Sequence, residues 1–304
     1  MITLKNKIVG LKIDVDTERG TRIGVQNLLQ LFAERNIKAT FLFSMGPDNT
    51  GRAIRRIFRP GFFQKVSRTS VLKVYGFKTL FNGLFGNGPH IGKRHGAIMR
   101  SASQKGHEVG VHCYDHNAWQ DKLSTWSEAR VREEVNRSIS TFTSIFGRKP
   151  HTMGAAGWQA NKESLCAYED CSLTYASDVR GTKAFYPTVK RRRFNTLQIP
   201  TTLPTLDELI GRPEYPIDTL INVYHEKIKS QSLNVLTIHA ELEGMHFLEW
   251  FTSFLDESIA QGISFCSVET IANDIKQSKQ VIPHLPLIQG TVDGRSGTLA
   301  MHGS

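Results

Sequence analysis

The sequence predicts an α/β fold built on a largely parallel sheet or barrel, and three observations predict it. Short apolar runs of strand length alternate with longer stretches of helical periodicity along the 304 residues, the pattern of parallel strands joined by crossover helices. Asp14, Asp16, His112, His116, Asp178 and His239 all fall at the C-terminal ends of runs read as strands, where such folds collect their functional groups. A composition of 39% hydrophobic and 22% charged residues supplies a sizeable core and argues against long disorder.

The elements follow in order. KIVGLKIDVD (7–16) is an apolar run ending in acids, and the period of two turns Asp14 and Asp16 toward one side. Val25, Leu28, Leu29 and Phe32 mark the face of a helix. IKATFLFSMG (37–46) is the second strand, and Pro47 and Gly51 bracket the turn that leaves it. HGAIMRSASQKG (95–106) reads as a helix closed by Gly106, and HEVGVHC (107–113) as the third strand. His112 therefore stands at a strand end, with His116 on the loop or first turn beyond. A long helix over 124–146 carries Val131, Val135, Ile139, Phe142 and Ile145, and Gly147 and Pro150 stop it. HTMGAAGW (151–158), CSLTYASD (171–178) and LQIPTTLP (197–204) are short strands with loops; a helix over 219–229 leads to the strand SLNVLTIHAE (232–241). HFLEWFTSFLDESIAQG (246–262) is a further helix and ISFCS (263–267) a last strand. The Gly-rich segment 280–304 is a C-terminal extension, either an ordered wrap or a loose tail.

The charge is regional. The net charge is +10, yet residues 52–105 hold twelve Lys or Arg and no Asp or Glu. We read 52–96 as an insertion in a single catalytic domain of residues 1–304. It interleaves Phe58, Phe62, Phe63, Phe77, Phe81 and Phe85 with Arg59, Lys65, Arg68, Lys73 and Lys78. A solvated basic insertion is the bland reading. Nucleic-acid binding lacks an accompanying module. Docking on an anionic membrane surface fits better, with rings entering the interface and each nearby cation contributing ~1 kcal/mol. No apolar run approaches the roughly 20 residues of a spanning helix, and no leader is visible at the start, so a peripheral protein is expected. Four scattered cysteines, at 113, 166, 171 and 266, form no C-x-x-C pair and read as reduced thiols.

The residue types suggest a chemistry. Asp16, His112 and His116 would give a dication one carboxylate and two imidazoles, with positions left for water and substrate. Asp14 would then take a proton from water and His239 return one to the departing group, which together describes hydrolysis of an amide or ester. Each part has a blander reading: H-x-x-x-H recurs by chance, D-x-D after a strand is commonly a turn or helix cap, and a lone histidine is commonly a core residue. Cys113 as a ligand would force awkward geometry on its neighbour His112. There is no G-x-S-x-G elbow, phosphate loop or H-E-x-x-H motif.

IDVDT (13–17), HCYDH (112–116) and TIH (237–239) resemble the signature blocks of the polysaccharide deacetylase superfamily, the NodB-homology or carbohydrate esterase family 4 group. The resemblance implies a distorted (β/α)7 barrel, with Asp16, His112 and His116 as ligands to one divalent metal ion, Asp14 as base and His239 as acid. Zinc, manganese, cobalt and nickel are not distinguished. DVDTERGTRIGV (14–25), SMGPDNTGR (44–52), AAGWQA (155–160), SDVRG (177–181) and QIPTTLPTLDELIGR (198–212) are similar to a deformylase branch of the family. That implies removal of formyl from a formamido-arabinose carried on undecaprenyl phosphate, at the cytoplasmic face of the inner membrane, in lipid A modification and polymyxin resistance. A deacetylase of peptidoglycan or another glycan, and a non-catalytic anionic glycolipid binder, stay open. One block departs from the pattern: where many members carry an Arg that orients the base, this chain reads GAAGWQ (154–159). Arg180 is a candidate substitute in space, and Trp158, Tyr114 and Glu241 are candidates for substrate contact or support. Oligomeric state is left open.

Overall fold

Strand β1 (Ile8–Val15) is buried along all but its first residue, as expected for a parallel strand covered on both sides. It lies between β2 (Thr40–Ser44) and β9 (Val235–His239), and all three run parallel. The sheet continues from β2 through β3 (Glu108–Cys113), β4 (Thr152–Met153) and β5 (Tyr175–Ala176) to β8 (Leu197–Gln198), while β10 (Ser264–Cys266) pairs with the start of β1. The ring closes where Thr202 and Leu203 both donate backbone N–H groups to Val235 O at 3.1 Å. This distorted parallel barrel is the fold that the resemblance implies. The computed structural model describes residues 6–52, 82, 86–278 and 280–304. Phe58, Arg59, Phe62, Phe63, Lys65, Arg68, Lys73, Phe77, Lys78, Phe81 and Phe85, the residues read as lipid contacts, lie outside the described residues.

Alternation divides the strand residues between two environments. Val9, Leu11, Ile13 and Val15 pack with Val25, Leu28 and Phe32 of helix α1 (Val25–Glu34) in the main apolar core. Lys12 and Asp14 point the other way. Lys12 Nζ donates to Ser177 O just beyond β5 at 3.1 Å, so its side chain crosses the barrel interior. Small or polar residues make that passage open: Thr40 and Thr237 flank Lys12 in register, and a methyl group on Gly154 would collide with Leu42.

The helices follow the expectations with shifted ends. Helix α2 (Ile91–Gln104) starts one turn before the sequence reading, because Ile91 N–H is anchored on Gly46 O at 2.8 Å and Gly92 packs under Met45 O. Lys93 and Arg94 hide that turn from any apolar count. The short α3 (His116–Lys122) is capped by Asp115, which accepts from Ala118 N. Helix α4 (Glu128–Phe146) begins at the Ser127 cap and ends at Gly147, whose φ of 69° is the left-handed stop that glycine accepts without strain. Helices α5 (Lys162–Asp170), α6 (Leu206–Leu209), α7 (Leu220–Ser230) and α8 (Leu248–Ala260) complete the crossovers. Helix α9 (Val268–Gln277) lies beyond the last strand of the sequence reading and packs Val268, Ile271 and Ala272 against Tyr175, Leu197 and Val235.

The C-terminal segment is an ordered wrap. Strands β11 (His284–Gly290) and β12 (Leu299–His302) join β6 (Tyr186–Val189) and β7 (Arg192–Arg193) in a second sheet, in the order β12, β11, β6, β7. Ala300 O accepts Arg180 N–H at 2.9 Å, and Leu285, Leu287 and Ala300 pack with Ala160, Val179 and Phe185. Among the described residues, no helix is long and apolar enough to cross a membrane.

Candidate metal centre and active site

At the end of β1 the chain bends, and Glu241 holds the bend. Its Oε1 accepts from Asp16 N at 3.1 Å, Thr17 N at 2.8 Å and Thr17 Oγ1 at 2.8 Å. Gly20 permits this cradle, since a methyl group there would overlap the Glu241 carboxyl. Burial, reinforced by the charge of Asp16, pushes the Glu241 carboxyl well above the usual carboxylate range, against the hydrogen bonds from Thr17. Glu241 is thereby placed as support for Asp16.

Two imidazoles meet Asp16 from β3 and the start of α3. His112 Nδ1 lies 2.6 Å from Gly154 O; donation to that carbonyl leaves Nε2 with a free lone pair. This Nε2 is 3.2 Å from Asp16 Oδ1, and His116 Nε2 is 3.4 Å from Asp16 Oδ2. The four-residue spacing works across a strand, a bend and a helix start, not along one helix face. One ligand atom from each residue lies within 4.8 Å of the other two. Asp16 Oδ1 is buried and accepts no hydrogen bond, although burying an unpaired carboxylate oxygen is costly. Burial would raise the Asp16 carboxyl, but His116 and His112 outweigh it and hold it below the ordinary range. An anionic oxygen without a donor beside the His112 Nε2 lone pair, with His116 Nε2 against the other oxygen, fits a borderline divalent cation.

A second triad of the same residue types tests that criterion. Glu108, His151 and Glu269 also gather three potential ligand atoms, near the first residues of β3 and α9. There Arg148 Nη1 is 3.4 Å from His151 Nδ1, so Nδ1 accepts and Nε2 carries the proton given to Glu108 Oε1 at 3.0 Å. Glu108 also receives Tyr175 OH, Thr40 Oγ1 and Glu269 N. Its carboxylate is satisfied, and the group ties β2, β3, β5 and α9 together without a metal.

Asp14 and His239 sit on adjacent strands in direct register. Asp14 is 3% exposed, its Oδ2 lies 3.5 Å from Lys12 Nζ, and its Oδ1 accepts no hydrogen bond. His239 N–H donates to Glu243 Oε2 at 2.9 Å, and His239 Nδ1 is buried without a partner. Burial pushes Glu243 up to about 7, against the pull of His239. Asp178, also at a strand end, is occupied with structure: it accepts from Ala155 N, Gln198 Nε2 and Tyr168 OH. Burial raises its carboxyl to about 6.

Two supporting assignments change. Arg180 does not stand in for an arginine beside the base: its guanidinium is 2.5 Å from Glu208 Oε1 and donates to Thr201 O and Leu203 O. The buried Glu208 carboxylate takes the cation through a charge-assisted hydrogen bond. Trp158 is 2% exposed and donates Nε1–H to Thr201 Oγ1 at 3.1 Å, so its ring is packing and not a channel wall. The cations of Lys12, Arg180 and Arg295 surround that ring at 5.4, 5.2 and 4.4 Å. Tyr114 projects from the site's backbone to a surface groove; its hydroxyl meets His90 Nε2 at 3.3 Å and Arg137 stacks 4.0 Å over its ring. The sequence reading missed Lys12, whose signal was a lysine at an inward-facing position of an otherwise apolar strand.

With this geometry in hand, the comparisons are specific. The family model of Polysaccharide deacetylase matches residues 3–176. The chain is 34% identical over 298 residues to the probable 4-deoxy-4-formamido-L-arabinose-phosphoundecaprenol deformylase of Shewanella sediminis (strain HAW-EB3), covering 97% of this chain and 95% of that one. It is 36% identical over 287 residues to the protein of the same name in Wigglesworthia glossinidia brevipalpis, covering 92% and 97%. Among solved structures, a probable polysaccharide deacetylase from Pseudomonas aeruginosa PAO1 superposes with a TM-score of 0.58 at 16% identity, covering 90% of this chain and 91% of that one. An allantoinase superposes with a TM-score of 0.60 at 15% identity, covering 90% and 91%. At these identities the two structures speak for the fold alone.

Proposed function

Because the chain belongs to the polysaccharide deacetylase family, we propose that it is a metal-dependent amide hydrolase that removes formyl from 4-deoxy-4-formamido-L-arabinose carried on undecaprenyl phosphate. The products are formate and the free amino-sugar lipid. The observation that carries the chemistry is the meeting of Asp16, His112 and His116 within 4.8 Å, beside Asp14 and His239 in register. The substrate comes from the named activity of the two relatives, which align over nearly the whole chain.

Asp16, His112 Nε2 and His116 Nε2 would hold one divalent cation. When bound, such a cation supplies Lewis-acid polarisation of the acyl oxygen and eases deprotonation of water. Asp14 Oδ1, the carboxylate oxygen left without a donor, accepts the proton of the attacking water. His239 gives a proton to the sugar nitrogen as the C–N bond breaks, so the leaving group departs as a neutral amine. Glu243 anchors the His239 backbone, and Glu241 fixes the backbone of Asp16.

In this reading residues 1–304 form a single catalytic domain; the basic, aromatic insertion read at 52–96 ends before Ile91, which is buried at the start of α2, and it meets the anionic membrane surface and the lipid phosphate. The enzyme then acts peripherally, at the cytoplasmic face of the inner membrane, in lipid A modification and polymyxin resistance. Incubating the metal-loaded protein with formylated and acetylated forms of the glycolipid, followed by product mass and formate assay, tests the function. Formate equal to product supports it. Acetate release alone makes the protein a deacetylase, and turnover of neither, unaltered by chelator, makes it a binder. Flotation on liposomes with and without anionic lipid tests the insertion; binding indifferent to lipid charge refutes docking.

A further inference from the structure

The proposed chemistry uses Asp14 but does not account for the lysine buried two residues before it. A barrel interior is filled more cheaply by Leu or Met, because an ammonium taken out of water loses hydration that few protein contacts replace. Lys12 has no exposed surface. Burial lowers its pKa, opposed by the charges of Asp14 and Asp178. Its Nζ has three hydrogens to place; one goes to Ser177 O at 3.1 Å, and Asp14 Oδ2 stands 3.5 Å away. The face of Trp158 lies 5.4 Å from the same atom. Asp14 Oδ1 accepts no hydrogen bond and is 3.8 Å from His112 Nδ1, which is committed to Gly154 O. The two oxygens of Asp14 are therefore inequivalent, one beside a fixed cation and one free.

We propose that Lys12 is the positioning residue of the base: its ammonium holds Asp14 Oδ2 and leaves Oδ1 as the free acceptor for the proton of water. Arg180, the other buried cation near the Trp158 ring, is spent on Glu208. Lys12 is well suited to the task because it rises from the same strand as Asp14, so no loop movement separates the two. Ser177 O and the Trp158 ring hold the ammonium from the opposite side of the barrel. The proposal rests on the reading of Asp14 as base, and the experiment separates the two.

The test measures steady-state formate release by the full-length, metal-loaded chain from a short-prenyl analogue of the formamido sugar phosphate, together with metal content and thermal unfolding. Lys12→Met is expected to keep its metal and unfold cooperatively, with kcat reduced on the order of 10²-fold, the scale of a slightly misplaced catalytic group, and KM within about twofold. Lys12→Arg is expected to recover about tenfold of that loss. In an Asp14→Asn background, Lys12→Met is expected to add less than about threefold, since residues acting as a unit are not additive. A general packing role would lower both backgrounds equally and would not be rescued by Arg. A Lys12→Met kcat within about threefold of wild type, or additive losses in the double variant, overturns the proposal. If Lys12→Met does not fold, Lys12→Gln is judged by the same criteria, and failure of both to fold assigns Lys12 to barrel stability and overturns it. Full activity of Asp14→Asn instead defeats the base assignment itself.

Discussion

Replacing Gly20 with Ala is expected to damage the metal centre from behind. The new methyl would overlap the Glu241 carboxyl, which is buried. Three hydrogen bonds depend on its position, from Asp16 N, Thr17 N and Thr17 Oγ1. At about 1 kcal/mol net for each, their loss comes to about 3 kcal/mol. For a domain of this size that corresponds to a fall in Tm of about 5 °C. Because Asp16 is the only carboxylate of the proposed ligand set, its displacement is expected to weaken metal binding by about 10- to 100-fold, the usual cost of losing outer support for a ligand. The assay is metal-ion competition against a fluorescent chelator, with a thermal scan on the same samples. Glu241→Gln is the control: it keeps the shape of the carboxyl, and an amide oxygen can accept the same three bonds. It is expected to stay within about 1 kcal/mol of wild type and within about threefold in metal affinity. Wild-type metal affinity in Gly20→Ala, or an equal loss in Glu241→Gln, would refute the cradle.

Further outcomes follow from other parts of the molecule. His112→Ala and His116→Ala should each abolish tight metal uptake and formate release, read by metal analysis and formate assay, and retention of both by the double replacement would defeat the ligand assignment. Burial with Lys38 and Lys105 nearby lowers His107 from 6.5 to about 4, and its Nδ1 accepts Ala39 N–H. Its folded pKa is depressed, so the unfolded chain binds the extra proton first. Stability is therefore full above pH 6.5 and lost as pH falls toward 4, by about 3 kcal/mol; denaturant melts of wild type and His107→Gln should diverge in that window. Deleting residues 283–304 removes β11, β12 and the Ala300 acceptor of Arg180 N, exposing Phe185, Val179 and Ala160. The truncated chain should melt lower and bind a hydrophobic dye, and an unchanged melting curve would count against the wrap.

Much of the architecture was legible as pattern. The strands carrying Asp14, His112 and His239 stood out because they are apolar, short and bounded by polar turns. Helix α4 stood out through its regular stripe and its Gly147 stop. Less was legible at the edges. Strands β4, β5 and β8 are only two residues long, so their pairing depends on neighbours and not on their own alternation. Helix α9 and strands β11 and β12 went unread, although Val268, Ile271 and Ala272 have helical spacing. The C-terminal strands are half exposed and earn their place through contacts with residues about a hundred positions earlier.

By itself, the sequence determined the alternating elements, the regional charge and the identity of the residues able to bind a cation and move protons. Those depend on local periodicity and on side-chain chemistry, which a linear chain displays in full. Only the tertiary structure decided which of two similar triads has a donorless carboxylate oxygen, that Arg180 is taken by Glu208, and that Lys12 crosses the barrel to meet Asp14. Each of these is a contest among partners distant in sequence, resolved by distances of a few ångströms that exist only once the barrel has closed.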